Sequence, residues 1–294
     1  ETLTVALIQG NVPPDEKWEE GMEAWNINLY RSMSIQAMAY RPNLIVWPET
    51  AVPTYLADIA PYRRMVQSLV DSIGVPVLTG MPAIDWSTGE TWNSAGLFSP
   101  GGTNVTRYDK LHLVPFGEAF PFDDVFPSLR NFDMGQANWD EGTDIVVFDT
   151  PGLPPFNAVI CFESILPDLV RRFIVRGSQL IVVITNDVWF GQYASPIQHA
   201  MISVMRAVEF HRPVVRCANT GISMVIDRYG RIQDSTRYGE RTYLIGTVRP
   251  SARMTFYAKH GNVFGIGCFV VSLAAVIGYF IARMRSGSEI NDVQ

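Results

Sequence analysis

The first stretch of the chain that could carry chemistry is a short, mostly apolar run that ends at a cysteine. Residues 156–164 read FNAVICFES, and Pro167 and Asp168 then open a helix-like segment. This order predicts a strand, a sharp turn and a helix. A thiol at such a turn lies at the rim of a sheet, where the positive end of the following helix favours its thiolate. Cys161 is therefore a candidate nucleophile, although a lone cysteine is more often a small buried apolar residue.

Two upstream segments carry charged groups to the ends of other predicted strands. Residues 44–50 read LIVWPET and place Glu49 after a buried run, while residues 108–118 read YDKLHLVPFGE and place Lys110 at the start of an irregular aromatic loop. Alone, Glu49 could cap the next segment, and a lysine is usually a solvated surface charge. Together with a thiol, they supply a base, an ammonium and a nucleophile.

These segments, in this order, resemble the nitrilase or carbon-nitrogen hydrolase superfamily, and the resemblance covers about residues 3–248. Its Glu-Lys-Cys triad maps onto Glu49, Lys110 and Cys161. Within the superfamily, the chain is most similar to the apolipoprotein N-acyltransferase family. The motifs that carry this similarity are WPET at 47–50, KLHLVPFGE at 110–118 and TNDVWFG at 185–191. Members of that family carry several membrane helices before this domain, and the given sequence has none there.

The resemblance implies a role for each residue of the triad. Glu49 takes the proton of Cys161, whose thiolate attacks an acyl carbonyl. Lys110 and the backbone N–H of Phe162 stabilise the oxyanion, and the acyl group then rests as a thioester.

Further residues are supporting candidates. Glu118 and Glu163 resemble other functional glutamates of the family, although either could be a structural carboxylate. The many aromatic residues of the loop from Phe116 onward predict a movable rim that binds a lipid tail, together with Trp189 and Phe190.

The elements that must position these groups follow an α/β pattern. Strand-like runs alternate with amphipathic segments, which argues for a layered fold with crossover connections, and the resemblance implies a nitrilase-like α-β-β-α sandwich. Residues 18–40 have helical spacing in Trp18, Met22, Trp25, Leu29 and Met33, and this stripe is predicted to be core. The predicted helices after it are 62–73, 169–176 and 196–211. The predicted strands are 44–47, 75–80, 92–98, 105–108, 145–148, 156–160, 180–185, 214–218, 223–226 and 242–248.

Composition excludes several classes of function. The net charge of −6, without a basic cluster before the C-terminus, opposes nucleic acid as a partner. Cys161, Cys217 and Cys268 do not form a disulfide framework. The four histidines lack metal-ligand spacing, so we expect no metal and no cofactor. A Cys-His enzyme is an alternative through His112 or His199, but we expect structural roles for both because nothing in the sequence places either beside Cys161.

Residues 263–282 contain no charged side chain, and Arg283 and Arg285 follow them. About 20 apolar residues can cross a bilayer, so we predict a transmembrane helix with a cytoplasmic tail. The expected organisation is a catalytic domain at 1–250, a linker at 251–262, the membrane helix at 263–282 and the tail at 283–294. The expected location is the bacterial inner membrane, with the catalytic domain on the periplasmic side. Because the chain starts without Met, we infer a fragment or a processed product.

The leading function, implied by the resemblance and the membrane segment, is acyl transfer. A fatty acyl chain would pass from a phospholipid, through the Cys161 thioester, to the N-terminal amine of a diacylglyceryl-cysteine in an apolipoprotein. A membrane-anchored amidase that hydrolyses a small C–N substrate is the alternative. A third possibility is a tethered binding module with an inactive triad, against which the joint presence of Glu49, Lys110 and Cys161 argues.

Overall fold

The computed structural model describes residues 2–118, 139–190 and 194–291. The chain divides into two compact units, Glu1–Thr255 and Phe256–Gln294.

The first unit contains two sheets in its described part. The strands of the first sheet, in spatial order, are β11 (Thr242–Val248), β1 (Leu3–Gln9), β2 (Leu44–Val46), β3 (Val77–Ile84), β4 (Thr91–Phe98) and β5 (Thr106–Asp109). Those of the second are β10 (Ile232–Ser235), β9 (Met224–Ile226), β8 (Val214–Ala218), β7 (Leu180–Thr185) and β6 (Phe156–Ile160). β1, β2 and β3 are parallel, as are β6, β7 and β8.

The two sheets face each other through apolar strands. β7 reads LIVVIT and is buried along its whole length, as expected for a parallel strand covered on both faces. At the centre, the Cys217 thiol on β8 donates to the carbonyl oxygens of Ile8 on β1, at 3.5 Å, and Val46 on β2, at 3.3 Å. Cys217 is therefore an interior residue that joins the sheets.

Helices cover the outer faces of the two sheets. The longer helices of this unit are α2 (Glu23–Ala37), α3 (Ala60–Ile73), α4 (Pro167–Val175) and α5 (Ala194–Phe210), after a short α1 (Pro14–Lys17). On the first sheet, Tyr30 of α2 stacks on Trp47 with ring centroids 5.2 Å apart. The indole N–H of Trp47 donates to Ser34 Oγ at 2.9 Å. On the second sheet, α5 packs beside β8. The predicted α-β-β-α sandwich is confirmed.

The stripe predicted for the first long helix is right in part: Met33 is buried in the core and Leu29 packs against it, but the two tryptophans are exposed. Trp18 lies before α2, and Trp18 and Trp25 are exposed by 53% and 39%. The face that packs on the sheet carries two polar side chains, Asn26 and Ser34, each of which has a hydrogen-bond partner inside. A face that mixes apolar and buried polar groups does not show as an apolar stripe in the sequence.

One predicted strand is absent from the structure, and one strand of the structure was not predicted. Residues 145–148 form no strand, and only Phe148 makes an isolated bridge, to Phe156. The edge strand β10 reads IQDS with all four residues exposed, so it lacks the apolar alternation by which strands are recognised.

The second unit is helical in its described part. It contains α6 (Phe256–His260) and α7 (Val263–Asn291). Val263–Ile281 has a mean hydropathy of 2.3, and none of it is buried. By length and composition, this segment can cross a membrane.

A close backbone approach at Gly80 sets the position of the turn after β2. Gly80 N–H donates to the Pro48 carbonyl at 3.1 Å, and Ala51 N–H donates to the Gly80 carbonyl at 3.0 Å. A Cβ at Gly80 would lie 2.6 Å from the Glu49 Cα and 2.5 Å from the Thr50 nitrogen. Only glycine therefore allows β3 to pass this turn.

We expect Gly80→Ala to destabilise the protein by about 1–3 kcal/mol, because the methyl group meets backbone atoms that cannot rotate away. Thermal unfolding in detergent measures this loss. Gly96→Ala on the paired strand β4 is the matched control, because its methyl group meets mainly the flexible end of Met81. Equal stability of Gly80→Ala and the parent protein would contradict the proposed close approach.

Candidate active site

A buried lysine ammonium lies between two carboxylates at one edge of the first sheet. Lys110 directly follows β5 and is fully buried. Its Nζ donates to both carboxylate oxygens of Glu118, at 2.8 and 2.6 Å, and lies 3.8 Å from Glu49 Oε1. Glu118 Oε2 also accepts the Val114 N–H at 2.9 Å, so the irregular loop after Lys110 folds back onto its own lysine.

Glu49 lies three residues past β2 and is held by one hydrogen bond to each oxygen. Asn93 Nδ2 on β4 donates to Oε1 at 2.8 Å, and the backbone N–H of Asn186, after β7, donates to Oε2 at 2.8 Å. Asn93 Nδ2 also lies 3.2 Å from Glu118 Oε1. One amide therefore links the two carboxylates that flank Lys110.

The pKa values of Glu49 and Lys110 are both raised, for different physical reasons. Burial raises the pKa of Glu49, and the nearby charge of Lys110 only partly opposes this. Burial alone would lower the pKa of Lys110, but the negative charges of Glu49 and Glu118 raise it above its usual value. Lys110 therefore remains an ammonium at neutral pH, while Glu49 is a stronger base than an exposed glutamate.

Cys161 directly follows β6 in a strained backbone conformation. Its φ is +52°, the left-handed region that residues with a Cβ rarely adopt, at a cost of about 1–3 kcal/mol. The chain then makes a 3-10 turn over Cys161–Ile165 before α4. Such strain persists only where the surrounding structure fixes the turn.

Glu163 fixes this turn against the lysine loop. Its Oε2 accepts the Ile160 N–H at 2.8 Å, and its Oε1 accepts the Tyr108 hydroxyl and the Leu111 N–H, both at 2.7 Å. Burial raises the pKa of Glu163. Since Ile160 precedes Cys161 and Leu111 follows Lys110, one carboxyl group joins the two strand ends that carry the candidate nucleophile and ammonium.

The thiol of Cys161 does not have the lowered pKa expected from its sequence context. Burial and the negative charge of Glu49 raise its pKa, and Lys110 opposes them only in part. The helix whose dipole was expected to favour the thiolate begins only at Pro167, beyond the 3-10 turn. The resting thiol is therefore protonated, and a base must accept its proton.

Glu49 and Cys161 line a cavity of about 430 Å³. Glu118, Phe162 and His199 also line it, and its remaining lining residues are Val114, Ile165, Asn186, Ser195, Gln198 and Ile202. Apolar side chains supply much of this surface. Of the predicted rim, Phe116 is 59% exposed and has a positive φ of 62°. Residues 119–138 and the side chains of Trp189 and Phe190 lie outside the described residues, so the rim stays a prediction.

A buried network behind Cys161 was missed by sequence reasoning. His199 Nε2 on α5 lies 3.2 Å from the Cys161 carbonyl oxygen, and its Nδ1 lies 2.9 Å from Asp187 Oδ1. Arg216 on β8 donates to Asp187 Oδ2 at 2.8 Å. Burial alone would raise the pKa of Asp187, but Arg216 and His199 lower it to about 2. His112, the other histidine considered, has an exposed side chain.

The sequence held only a weak signal for this network. Asp187 belongs to the TNDVWFG motif, but its partners lie 12 and 29 residues away on other elements. Glu49 is held by the side chain of Asn93, which lies inside a strand, and by the backbone N–H of Asn186. No sequence motif marks either of these hydrogen-bond donors.

Comparison with known families supports these assignments of fold and class. The family model described as carbon-nitrogen hydrolase matches residues 4–255. The apolipoprotein N-acyltransferase of Geobacter metallireducens is 38% identical over 96% of this chain and 54% of that protein. The corresponding enzyme of Chlorobaculum tepidum is 35% identical over 94% of this chain and 57% of that protein. The chain thus spans about half the length of the curated relatives that it matches.

Solved structures share the fold at low sequence identity. Nit3 of Saccharomyces cerevisiae, a member of branch 10 of the nitrilase superfamily, aligns with a TM-score of 0.66 at 18% identity, over 85% of this chain and 91% of that chain. An amidase from Nesterenkonia sp. aligns with a TM-score of 0.63 at 19% identity, over 84% of this chain and 90% of that chain. Another structure of that amidase shows the acetamide moiety of fluoroacetamide added covalently to its active-site cysteine.

We expect Glu49→Gln to lower the pKa of the Cys161 thiol by about one unit, because it removes a nearby negative charge and keeps Lys110. Thiolate absorbance, measured against pH and referenced to the matching Cys161→Ala protein, reports this titration. In the parent protein the raised pKa means that the thiolate forms above the ordinary value of about 8.5, and in Glu49→Gln it forms at lower pH.

The control for this titration is Glu90→Gln, which changes an exposed carboxylate on the hairpin between β3 and β4. It should leave the midpoint of the thiol titration unchanged. A midpoint in Glu49→Gln that stays the same or moves upward would contradict the inferred influence of Glu49 on Cys161.

Proposed function

Because the chain belongs to the carbon-nitrogen hydrolase family, we propose that this enzyme is an N-acyltransferase of the apolipoprotein type, which uses Glu49, Lys110 and Cys161 as its triad. The proposed donor is a phospholipid, and the acceptor is the N-terminal amine of a diacylglyceryl-cysteine at the start of an apolipoprotein. The similarity to enzymes of that name in Geobacter metallireducens and Chlorobaculum tepidum supports this choice within the family.

The observation that carries the proposal is the composition of the cavity at Cys161. Val114, Phe162, Ile165 and Ile202 supply apolar surface beside the thiol. An alkyl chain gains about 0.8 kcal/mol for each methylene that it buries in such surroundings, whereas a small polar amide gains little. The lining therefore favours an acyl group with a hydrocarbon tail over the small C–N substrate of the alternative reading.

In the proposed first half-reaction, Glu49 accepts the proton from the Cys161 thiol as the sulfur attacks the ester carbonyl of the phospholipid. The raised pKa of both groups suits this transfer, because the thiol is protonated at rest and the carboxylate is unusually basic. Lys110, oriented by Glu118, stabilises the oxyanion with the backbone N–H of Phe162. The C–O bond then breaks, Glu49 returns the proton to the leaving alcohol, and the acyl group remains as a thioester.

In the second half-reaction, the amine of the acceptor attacks the thioester. Glu49 takes a proton from this amine, the C–S bond breaks, and the thiol is restored as the amide forms. For transfer to exceed hydrolysis, water must be excluded from the thioester or poorly placed until the amine binds. Phe116 and the aromatic segment that follows it are proposed to contribute this exclusion, with Trp189 and Phe190.

Anchoring to a bilayer would supply both substrates. We propose that Val263–Ile281 crosses the bacterial inner membrane, with the tail after it in the cytoplasm and the catalytic unit in the periplasm. Confinement at the membrane raises the effective concentration of a phospholipid and of a lipid-anchored acceptor. Basic residues at 283 and 285 support the proposed orientation of the tail.

We expect phospholipid alone to leave a long-lived acyl thioester on Cys161, which a diacylglyceryl-cysteinyl peptide then discharges. Peptide mass spectrometry before and after hydroxylamine treatment detects the adduct. Cys161→Ala is the control and should fold normally without forming the adduct. Prompt release of free fatty acid without an acceptor, or turnover of small amides without a lipid adduct, would favour the anchored amidase.

We expect Lys110→Met to lower the rate of thioester formation at least about 100-fold, the scale of one oxyanion donor. Lys110→Arg should not restore the rate, since a planar guanidinium does not fit where Glu118 holds a compact ammonium. Circular dichroism checks the fold of both variants. A near-normal rate in Lys110→Arg would show that charge alone is required at this position.

A further inference from the structure

The buried network behind Cys161 connects the two groups between which the proposed reaction moves a proton. At one end, His199 Nε2 lies 3.2 Å from the Cys161 carbonyl oxygen. At the other end, Asp187 directly follows Asn186, whose N–H donates to Glu49 Oε2 at 2.8 Å. The network therefore contacts the backbone of the candidate nucleophile and adjoins the residue that orients the candidate base.

The hydrogen-bond roles at the Cys161 end follow from the chemistry of the acceptor. A carbonyl oxygen only accepts, so Nε2 is the donor in a hydrogen bond between His199 and Cys161. Ser164 Oγ donates to the same oxygen at 2.8 Å and lies 3.2 Å from Nε2. Two donors from different elements thus hold the peptide group of a residue whose φ is +52°.

Asp187 and Arg216 hold the other edge of the imidazole. Nδ1 lies 2.9 Å from Asp187 Oδ1 and 3.1 Å from Arg216 Nη2, and Thr185 Oγ1 donates to Asp187 Oδ1 at 3.0 Å. A Cβ at Gly221 would overlap the carboxylate of Asp187, so the backbone of the β8–β9 connection closes this side. The ring is therefore constrained at both nitrogens.

Stability alone is a weak reason for these charges to be buried. Arg216 and Asp187 have no exposed surface, and Nε and Nη1 of Arg216 have no hydrogen-bond partner among the described residues. Replacing a buried ion pair by apolar residues is often neutral or stabilising. The ion pair must therefore be explained by what it orients, and the ring that it orients contacts Cys161.

We propose that His199, oriented by Asp187 and Arg216, is a positioning residue that holds the strained Cys161 turn at a fixed place relative to Glu49. The inference rests on the proposed function for the identities of the nucleophile and the base. His199 contacts the carbonyl of Cys161 and not the reacting atoms, so its effect is on geometry. A 1 Å displacement of a reacting group can cost about 100-fold in rate.

The experiment compares two amide variants that each keep one side of the ring. The amide of His199→Gln reaches the place of Nε2 and can still donate to the Cys161 carbonyl, whereas that of His199→Asn reaches only the place of Nδ1, beside Asp187. Both remove the imidazole, and both leave an amide in a buried polar site. His260→Gln, an exposed histidine on α6, is the control for the substitution itself.

Two rates are measured on each variant of the whole chain in detergent. Alkylation of Cys161 by iodoacetamide, followed by peptide mass spectrometry, needs no lipid substrate. Thioester formation with a defined phospholipid is resolved into its rate at saturation and its half-saturating concentration. Thermal unfolding is recorded alongside.

We expect His199→Asn to lose at least about tenfold in both rates with the half-saturating phospholipid concentration unchanged, and His199→Gln to stay within about threefold of the parent protein. Equal losses in the two variants, a faster Asn variant, or a change only in half-saturation would overturn the proposal. If the parent protein forms no thioester but alkylation still follows the expected order, the positioning role stands and the proposed acyl transfer fails.

Discussion

The burial of one ammonium constrains the arrangement of the site. A cation removed from water must be paired and hydrogen-bonded, because an uncompensated buried charge costs several kcal/mol. Lys110 satisfies this requirement with both oxygens of Glu118 and the nearby oxygen of Glu49. The groups that pair with this ammonium or hold its partners come from the end of β2, the internal strand β4 and the loop after β5. The same cluster raises the basicity of Glu49, since burial outweighs the effect of a single shared cation.

The second sheet meets this cluster through another buried carboxyl group. Glu163 accepts N–H groups from both the Cys161 turn and the lysine loop, so its two oxygens join the edges of the two sheets. The strain of a positive φ at Cys161 is offset by these bonds and by those to its carbonyl oxygen. The sequence left open whether Glu118 and Glu163 are functional or structural, and the structure shows that both are held in buried hydrogen bonds. Each orients a group of the candidate triad while satisfying buried donors.

Apolar surface is distributed unevenly around this polar site. On α5, His199 and Ser203 point inward, while Ile197, Met201 and Met205 are exposed by 56%, 45% and 56%. The helical spacing of apolar residues therefore predicts an amphipathic helix, but it does not show which face of the helix is buried. His199, which a simple reading assigns to solvent, belongs to the buried network because its ring nitrogens have partners on other elements.

The sequence by itself determined the α/β class of the fold and identified most of the strands after which the candidate residues stand. Apolar runs such as LIVVIT at 180–185 predict covered strands, and Glu49 and Cys161 follow apolar runs of this kind. Lys110 follows the more polar strand TRYD, and all three side chains lie beyond a strand end. These are local signals, readable within about ten residues. Only the structure shows that Asn93, Asp187 and Arg216 lie close to the candidate triad, that the buried face of α2 includes polar groups, and that burial raises the pKa of the Cys161 thiol. These features depend on burial and on contacts with residues that are distant along the chain. A local sequence pattern encodes neither the burial nor the distant contacts.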